Sequence, residues 1–281
     1  MRNPERTRLA VLGSPIAHSL SPTIHAAAYR VLDTGWDYGA HDVTGESLAS
    51  FVAALDDQWR GLSLTMPLKR DVLPLLTARD EMVDRVGAAN TVLLGDSLVS
   101  GFNTDVRGAV ESFRRAGVAT LDSVHILGAG ATAASLLIAA VELGATHALI
   151  SARTVERAEP LVVLGAREGI DVDVRPWGIS DRSHAVPDAV ISTIPQGAAD
   201  LVFPEDVRSR STLFDVAYDP WPTPLARAWS DVGGRVISGL DLLINQAVGQ
   251  IRVFLTGDVE RPLPDEESVI AAMWESVASR H

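Results

Sequence analysis

Short apolar runs alternate with amphipathic stretches along most of the chain, and their spacing predicts an α/β protein. Leu9-Ala10-Val11-Leu12 reads as a buried strand that stops at Gly13. A helix follows from Ser21-Pro22 through Ile24, Ala27, Ala28 and Val31 to Gly35, with Ser21 as the expected N-cap and proline in the first turn. Trp36–Val43 predicts a second strand, Glu46–Leu55 an amphipathic helix and Arg60–Thr65 a third strand. Strand, helix, strand, helix at this spacing indicates a parallel-sheet unit. Gly87–Thr91 then leads into a short strand, and the Gly95-Asp96 turn into another over Ser97–Ser100, ending at Gly101.

From Asp105 to Ala116 the pattern is helical, and it closes at Gly117. A second series of strands follows: Ser123–Leu127, His147–Ser151, Val172–Val174, Ala189–Thr193, Thr212–Val216 and a short Val236–Gly239. Turn signals follow several of them, including Ile194-Pro195-Gln196-Gly197 and Tyr218-Asp219-Pro220-Trp221-Pro222. Thr223-Pro224 reads as a helix cap with proline at the first helical position. Two helices, Leu240–Leu255 and Glu266–Ala278, have no place in the second series and are expected to return to the first. The predicted domains are therefore 1–105 with 240–281, and 106–239.

Three stretches carry candidate chemistry. In Ser63-Leu64-Thr65-Met66-Pro67-Leu68-Lys69 a strand is expected to end at Pro67, which lacks an N–H for the ladder, and to present Lys69 at the sheet rim. Gly101-Phe102-Asn103-Thr104-Asp105 is a second polar knot directly after a strand. Lys69 and Asp105 at one cleft would form a proton-handling pair; the alternative is a solvated lysine and a helix-capping aspartate. Asn90 and Asn103 add amides that can donate to and accept from a polyol. Capping accounts for Ser21 but leaves Ser19 unexplained, and two hydroxyls at a helix start suit a ligand's oxygens. His18 is expected to make a structural hydrogen bond in that turn.

Gly128-Ala129-Gly130-Ala131-Thr132-Ala133 fits the dinucleotide-binding turn, with the required strand before it and helix after it. Its first glycine permits the turn, the second lets backbone approach a pyrophosphate, and the small Ala133 lets helix and strand pack closely. The next strand ends in Ala152-Arg153-Thr154-Val155-Glu156-Arg157, where an NAD enzyme would carry an acid for the ribose hydroxyls. Arginine there suits the 2′-phosphate of NADP; a local Arg153–Glu156 pair at a solvated helix start is the alternative.

Composition narrows the classes. The 281 residues are 47% hydrophobic and 21% charged, enough to supply a core, and carry a formal net charge of -12. That charge argues against nucleic acid or an anionic membrane as partner. The absence of cysteine excludes disulfides and thiolate chemistry and fits a reducing cytosol. Seven histidines without HExxH-type spacing make a metal centre unexpected. No apolar run approaches the ~20 residues of a membrane span, and no signal-peptide core follows the N-terminus. The expectation is a cytoplasmic protein, monomer or homodimer, acting on a small molecule.

Taken in order, these motifs resemble the shikimate dehydrogenase family over nearly the whole chain. The family's S-x-S-P appears at Ser19–Pro22, N-V-T-x-P-x-K at Ser63–Lys69, G-A-x-N-T at Gly87–Thr91 and G-x-N-T-D at Gly101–Asp105. Its cofactor turn resembles Gly128–Ala133, and N-R-T-x-x-R resembles Ala152–Arg157. D-x-x-Y-x-P-x-x-T-P matches Asp215–Pro224, and G-x-x-x-L-x-x-Q matches Gly239–Gln246. The resemblance implies a substrate domain, a Rossmann-type NADP domain, and reversible NADP-dependent interconversion of 3-dehydroshikimate and shikimate. It implies Lys69 and Asp105 as catalytic dyad, with Ser19, Ser21, Thr65, Asn90, Tyr218 and Gln246 at the substrate. Gly128, Ala129, Gly130, Ala131, Ala133, Arg153, Thr154, Arg157 and Gly239 would serve the cofactor. Ser63, Ala131 and Ala152 depart from the usual Asn, Gly and Asn, and Ser192-Thr193-Ile194-Pro195 departs from the commoner N-A-T-S. Rival readings are an NAD-dependent quinate/shikimate dehydrogenase, more remotely an aminoshikimate dehydrogenase, and a catalytically silent NADP-binding module.

Overall fold

A computed structural model of the chain describes residues 7–96, 98–177, 186–194 and 201–278. Ser97 of the predicted Ser97–Ser100 strand, and Pro195, Gln196 and Gly197 of the predicted turn, lie outside them. The chain divides into two compact units, Met1–Thr104 with Leu243–His281, and Asp105–Leu242.

The first unit contains β1 (Arg8–Gly13), α1 (Ser21–Val31), β2 (Asp37–Asp42), α2 (Gly45–Ala53), β3 (Trp59–Leu64), α3 (Leu68–Asp71), β4 (Ala78–Arg79), α4 (Glu81–Val86), β5 (Thr91–Leu94) and β6 (Val99–Phe102). Its sheet runs β2-β1-β3-β5-β6-β4. The three strands separated by helices are parallel, as their spacing predicts. The sheet as a whole is nevertheless mixed, because β5 is antiparallel to both β3 and β6. The Gly95-Asp96 link is too short for a parallel crossover, which needs a dozen or more residues. Leu12, Leu62, Leu64, Leu68 and Val92 fill the core between this sheet and its helices.

The second unit contains α5 (Asp105–Arg115), β7 (Ser123–Leu127), α6 (Ala131–Glu142), β8 (His147–Ala152), α7 (Glu159–Glu168), β9 (Asp171–Pro176), β10 (Ala189–Ser192), α8 (Glu205–Arg210), β11 (Thr212–Asp215), α9 (Pro224–Ser230) and β12 (Val236–Ser238). Its strands pair in the order β12-β11-β10-β7-β8-β9, all parallel. Read from β9, that is the doubly wound order in which direction reverses between the first and fourth strands. Helix α6 is apolar nearly all round and buried from Ala133 to Ala140, as a helix covering a parallel sheet must be.

Helix α10 (Gly239–Thr256) starts in the second unit and continues into the first. Helix α11 (Glu266–Glu275) packs on α1, so the terminal helices return to the first unit. Arg252 on α10 holds Glu266 on α11 by a forked pair of hydrogen bonds, one of them 2.8 Å long.

Candidate functional site

In the first unit, register brings the predicted residues to one end of the sheet. Leu12 lies opposite Leu64 on parallel strands, so the segments leaving β1 and β3 emerge side by side. Ser14 N–H donates to the Met66 carbonyl at 3.0 Å, and Thr65 N–H to the Leu12 carbonyl at 2.9 Å. Gly13 is required here because a side chain would run into the Thr65 methyl group. Antiparallel β5 begins at the same end, with Thr91 opposite Ser63, and β6 finishes there, with Phe102 opposite Thr91. Asn90 therefore precedes one strand, and Asn103, Thr104 and Asp105 follow the other.

Three expectations are corrected. The β3 ladder closes with the Thr65 N–H bond to Leu12, before Pro67 is reached, and Pro67 is instead the N-cap of the short helix α3, which carries Lys69 half-buried. Ser21 is not the N-cap: Leu20 occupies that position and makes no side-chain capping bond. It is Ser19 Oγ that accepts the Ser21 N–H, at 3.3 Å. His18 is exposed and makes no side-chain hydrogen bond to a described residue, so it does not brace the turn.

Asn90 is the hub of this end. It is 1% exposed. Its Nδ2 donates to Thr104 Oγ1 at 2.9 Å and to Gln246 Oε1 at 3.2 Å. Its Oδ1 accepts from Thr104 N–H and from the Thr91 hydroxyl, both at 2.9 Å. A ligand that takes an Asn90 N–H competes first with the longer bond, to Gln246. Lys69 is tied to the same segment, since its carbonyl accepts the Ala89 N–H at 2.8 Å. Asn103, expected to face a polyol, donates its amide to the Ala88 carbonyl at 2.9 Å and braces that segment from behind. Asp105, buried, is peptide-bonded to Thr104 and opens α5.

Behind Asn90 lies a polar cluster that sequence reasoning missed. Gln250 Nε2 donates to the Asn90 carbonyl at 3.1 Å, and Gln250 Oε1 accepts from Ser63 Oγ at 2.8 Å. Ser63 Oγ accepts in turn from the Tyr38 hydroxyl at 2.6 Å. His25 stacks on Tyr38 at 3.9 Å, with Nε2 3.3 Å from Gln250 Oε1 and Nδ1 3.0 Å from the Tyr29 hydroxyl. Burial pushes the His25 pKa down to about 3, only partly offset by the Gln250 bond. Burial likewise raises both tyrosines.

The unfolded chain binds a proton at this histidine below about pH 6.5 and the folded chain does not, so the contribution of His25 to stability is lost as pH falls from 6.5 towards 3. Raised Asp80 and Asp215, both desolvated, have the opposite sign: their contribution is lost as pH rises above the unfolded value of 3.8. Between pH 7 and pH 5 His25 should cost about 2 kcal/mol of stability. Urea unfolding of wild type and His25→Asn at both values checks this; an equal pH dependence in the two proteins would remove His25 as its source.

In the second unit every strand delivers its loop to the same carboxyl edge. Gly128 has φ +108°, and a side chain there would strike Thr193 Oγ1, which itself donates to the Leu127 carbonyl at 2.8 Å. Only glycine satisfies both conditions at this reversal between β7 and β10. Gly130 occupies the cap position of α6, and the space where its side chain would lie is open. Ala129 and Ala131 flank it partly buried, and Ala133 is fully buried where α6 meets the sheet. An α-helix N-terminus with open backbone in front of it fits a pyrophosphate.

Arg153 directly follows β8, and Thr154 and Arg157 belong to the succeeding 3-10 turn, all three exposed. Neither arginine has a carboxylate partner among the described residues, so the alternative Arg153–Glu156 pair is not formed. The Arg153 guanidinium lies 5.8 Å from the centroid of the Trp177 ring. Beyond β11, Asp215 accepts from Thr223 Oγ1 at 2.7 Å and from Ala217 N–H at 3.2 Å, fixing the turn that bears half-buried Tyr218. Gly239 starts α10 where a side chain would strike the Val216 carbonyl. Among the described residues no His, Asp or Glu cluster fits a metal ion, and no helix is long and apolar enough to cross a membrane.

Residues 11–92 match the family model described as the shikimate dehydrogenase substrate binding domain. A shikimate dehydrogenase (NADP(+)) of Desulfitobacterium hafniense is 32% identical over 96% of this chain and 98% of its own length. The chain belongs to the shikimate dehydrogenase family. The crystal structure of Mycobacterium tuberculosis shikimate dehydrogenase, 34% identical, superposes with a TM-score of 0.82 over 96% of this chain and 99% of that one. A shikimate 5-dehydrogenase from Thermus thermophilus, in complex with NADP(H) and shikimate, is 28% identical with a TM-score of 0.79 over 96% and 99% of the two chains. Shikimate dehydrogenase likeness thus extends over both units, not the first alone.

Proposed function

We propose that this protein is an NADP-dependent shikimate dehydrogenase, reversibly reducing 3-dehydroshikimate to shikimate in the chorismate route to aromatic amino acids. The observation that carries this reading is the coexistence, in one family member, of the Asn90-centred polar site and the open dinucleotide turn. The proposal includes a cytoplasmic setting and a monomeric or homodimeric state.

We assign the first unit as substrate domain and the second as cofactor domain, with boundaries near 105 and 240. NADP(H), when bound, exchanges a hydride with the substrate's ring carbon. Gly128, Ala129, Gly130, Ala131 and Ala133 would hold its pyrophosphate, Arg153, Thr154 and Arg157 its 2′-phosphate, and Gly239 would border the nicotinamide. Lys69 gives a proton to the ketone oxygen on reduction and takes it from the hydroxyl on oxidation. Asp105 orients the ammonium and the hydroxyl. Acid–base help of this kind is typically worth about 10²–10⁴ in rate. Ser19, Ser21, Thr65, Asn90, Gln246 and Tyr218 are assigned to the substrate's carboxylate and hydroxyls.

The two serines separate by experiment. Ser19 accepts a helix N–H, so Ser19→Ala should lose about 1 kcal/mol of stability, whereas Ser21→Ala should not. Both should raise the KM for shikimate well above any change for the cofactor, each lost charged hydrogen bond contributing about 1.5–3 kcal/mol. Unchanged KM in both variants would leave Ser19 a cap and Ser21 without a role. The proposal itself is tested by mixing protein with shikimate and NADP or NAD and following reduced nicotinamide. Faster turnover with NADP is expected; silence with both, in folded protein, would favour a binding module.

A further inference from the structure

The cluster behind Asn90 has one internally consistent set of hydrogen-bond directions. A carbonyl only accepts, so the Gln250 group 3.1 Å from the Asn90 carbonyl is its NH₂. Gln250 Oε1 then faces Ser63 and His25, and both must donate to it. Ser63, having donated, accepts from Tyr38. The neutral His25 carries its proton on Nε2, and its Nδ1 accepts from the Tyr29 hydroxyl. Each member fixes the orientation of the next, and the chain ends on the Asn90 backbone. Gln250, 2% exposed, lies one helical turn after Gln246 on the same face of α10. The two glutamines thus hold Asn90 at opposite ends, Gln246 at the side-chain amide and Gln250 at the carbonyl.

We propose that Gln250 is a positioning residue for substrate: through the Asn90 carbonyl it sets where the Asn90 amide and the adjoining Thr104-Asp105 segment present themselves to shikimate. This rests on the assignment of Asn90 to the substrate. Gln250 touches no substrate itself. Its amide is oriented from behind by Ser63 and Tyr38 on one side, and by His25 and Tyr29 on the other. Ser63, where the family usually carries Asn, thereby acts on the Gln250 amide within the domain core.

Calorimetric titration with shikimate, and separately with NADP, tests this on wild type and Gln250→Met, a variant of similar volume that removes the amide. The dissociation constant for shikimate should rise about tenfold, one hydrogen bond's worth, and that for NADP should stay within about twofold. Should the methionine variant not fold, Gln250→Glu keeps the acceptor for Ser63 and His25. At pH 8 it sets an oxygen against the Asn90 carbonyl and should weaken shikimate binding by at least as much. A folded variant with a lower melting temperature but wild-type shikimate affinity would overturn the proposal, leaving Gln250 a core residue only. Wild type that does not bind shikimate would overturn the substrate assignment on which it rests.

Discussion

Lys69→Ala lowers kcat by about a hundredfold or more, with a much smaller effect on the KM for shikimate. The expectation rests on where the backbone holds the residue. Its carbonyl is bonded to Ala89 N–H, one residue from Asn90, and its side chain is half-buried on a helix of only four residues. Such a short helix has little stability of its own. Leu68, fully buried, and the bond from Leu68 N–H to the Thr65 carbonyl hold it in place. Alanine keeps both, so the backbone and the binding residues stay where they are and only the proton-carrying group is lost. Steady-state kinetics at saturating cofactor measures this. A kcat within a few-fold of wild type would remove Lys69 from acid–base chemistry.

Arg153→Ser lowers the preference for NADP over NAD, as a ratio of kcat/KM values, by roughly ten- to a hundredfold. Arg153 leaves β8 at the edge where NAD enzymes place a carboxylate, and it has no carboxylate partner among the described residues. Trp177 gives the guanidinium a flat surface at 5.8 Å and is itself fixed by its Nε1 bond to the Ser151 carbonyl, 2.8 Å long. The fork is thus partly oriented before a phosphate arrives, which lowers the entropy lost on binding. Arg157 and Thr154 remain in the variant, so some preference should persist. A wild-type ratio below one would refute the NADP assignment and promote the NAD-dependent quinate/shikimate reading. An unchanged ratio in the variant would acquit Arg153 alone.

What could be read in the sequence was what local chemistry encodes. The dinucleotide turn is a contiguous strand, glycine turn and helix; Gly128 answers a constraint from its own φ and the neighbouring strand, while Gly130 leaves open space at the helix N-terminus. The central parallel strands, such as β1 and β7, show themselves by short apolar runs and intervening helices, whereas the edge strands β2 and β9 are polar or alternating and show themselves by spacing. Ser21 and Pro67 are less legible, because a serine before proline, or a proline after a strand, admits two neighbouring geometries. Packing of Leu20 and Leu68 decides between them. The cluster around Gln250 was invisible for another reason. It joins His25, Ser63 and Asn90 to a residue between 160 and 225 positions away. No periodicity marks a glutamine on a buried helix face as polar by design.

The most direct test of the whole account follows the transferred atom. The protein would be given 3-dehydroshikimate and NADPH with both hydrogens of the nicotinamide's reactive carbon replaced by deuterium, and the product examined by nuclear magnetic resonance. The account predicts shikimate with deuterium on the carbon that bears the new hydroxyl group. Unreduced 3-dehydroshikimate, or shikimate without deuterium at that carbon, would contradict it.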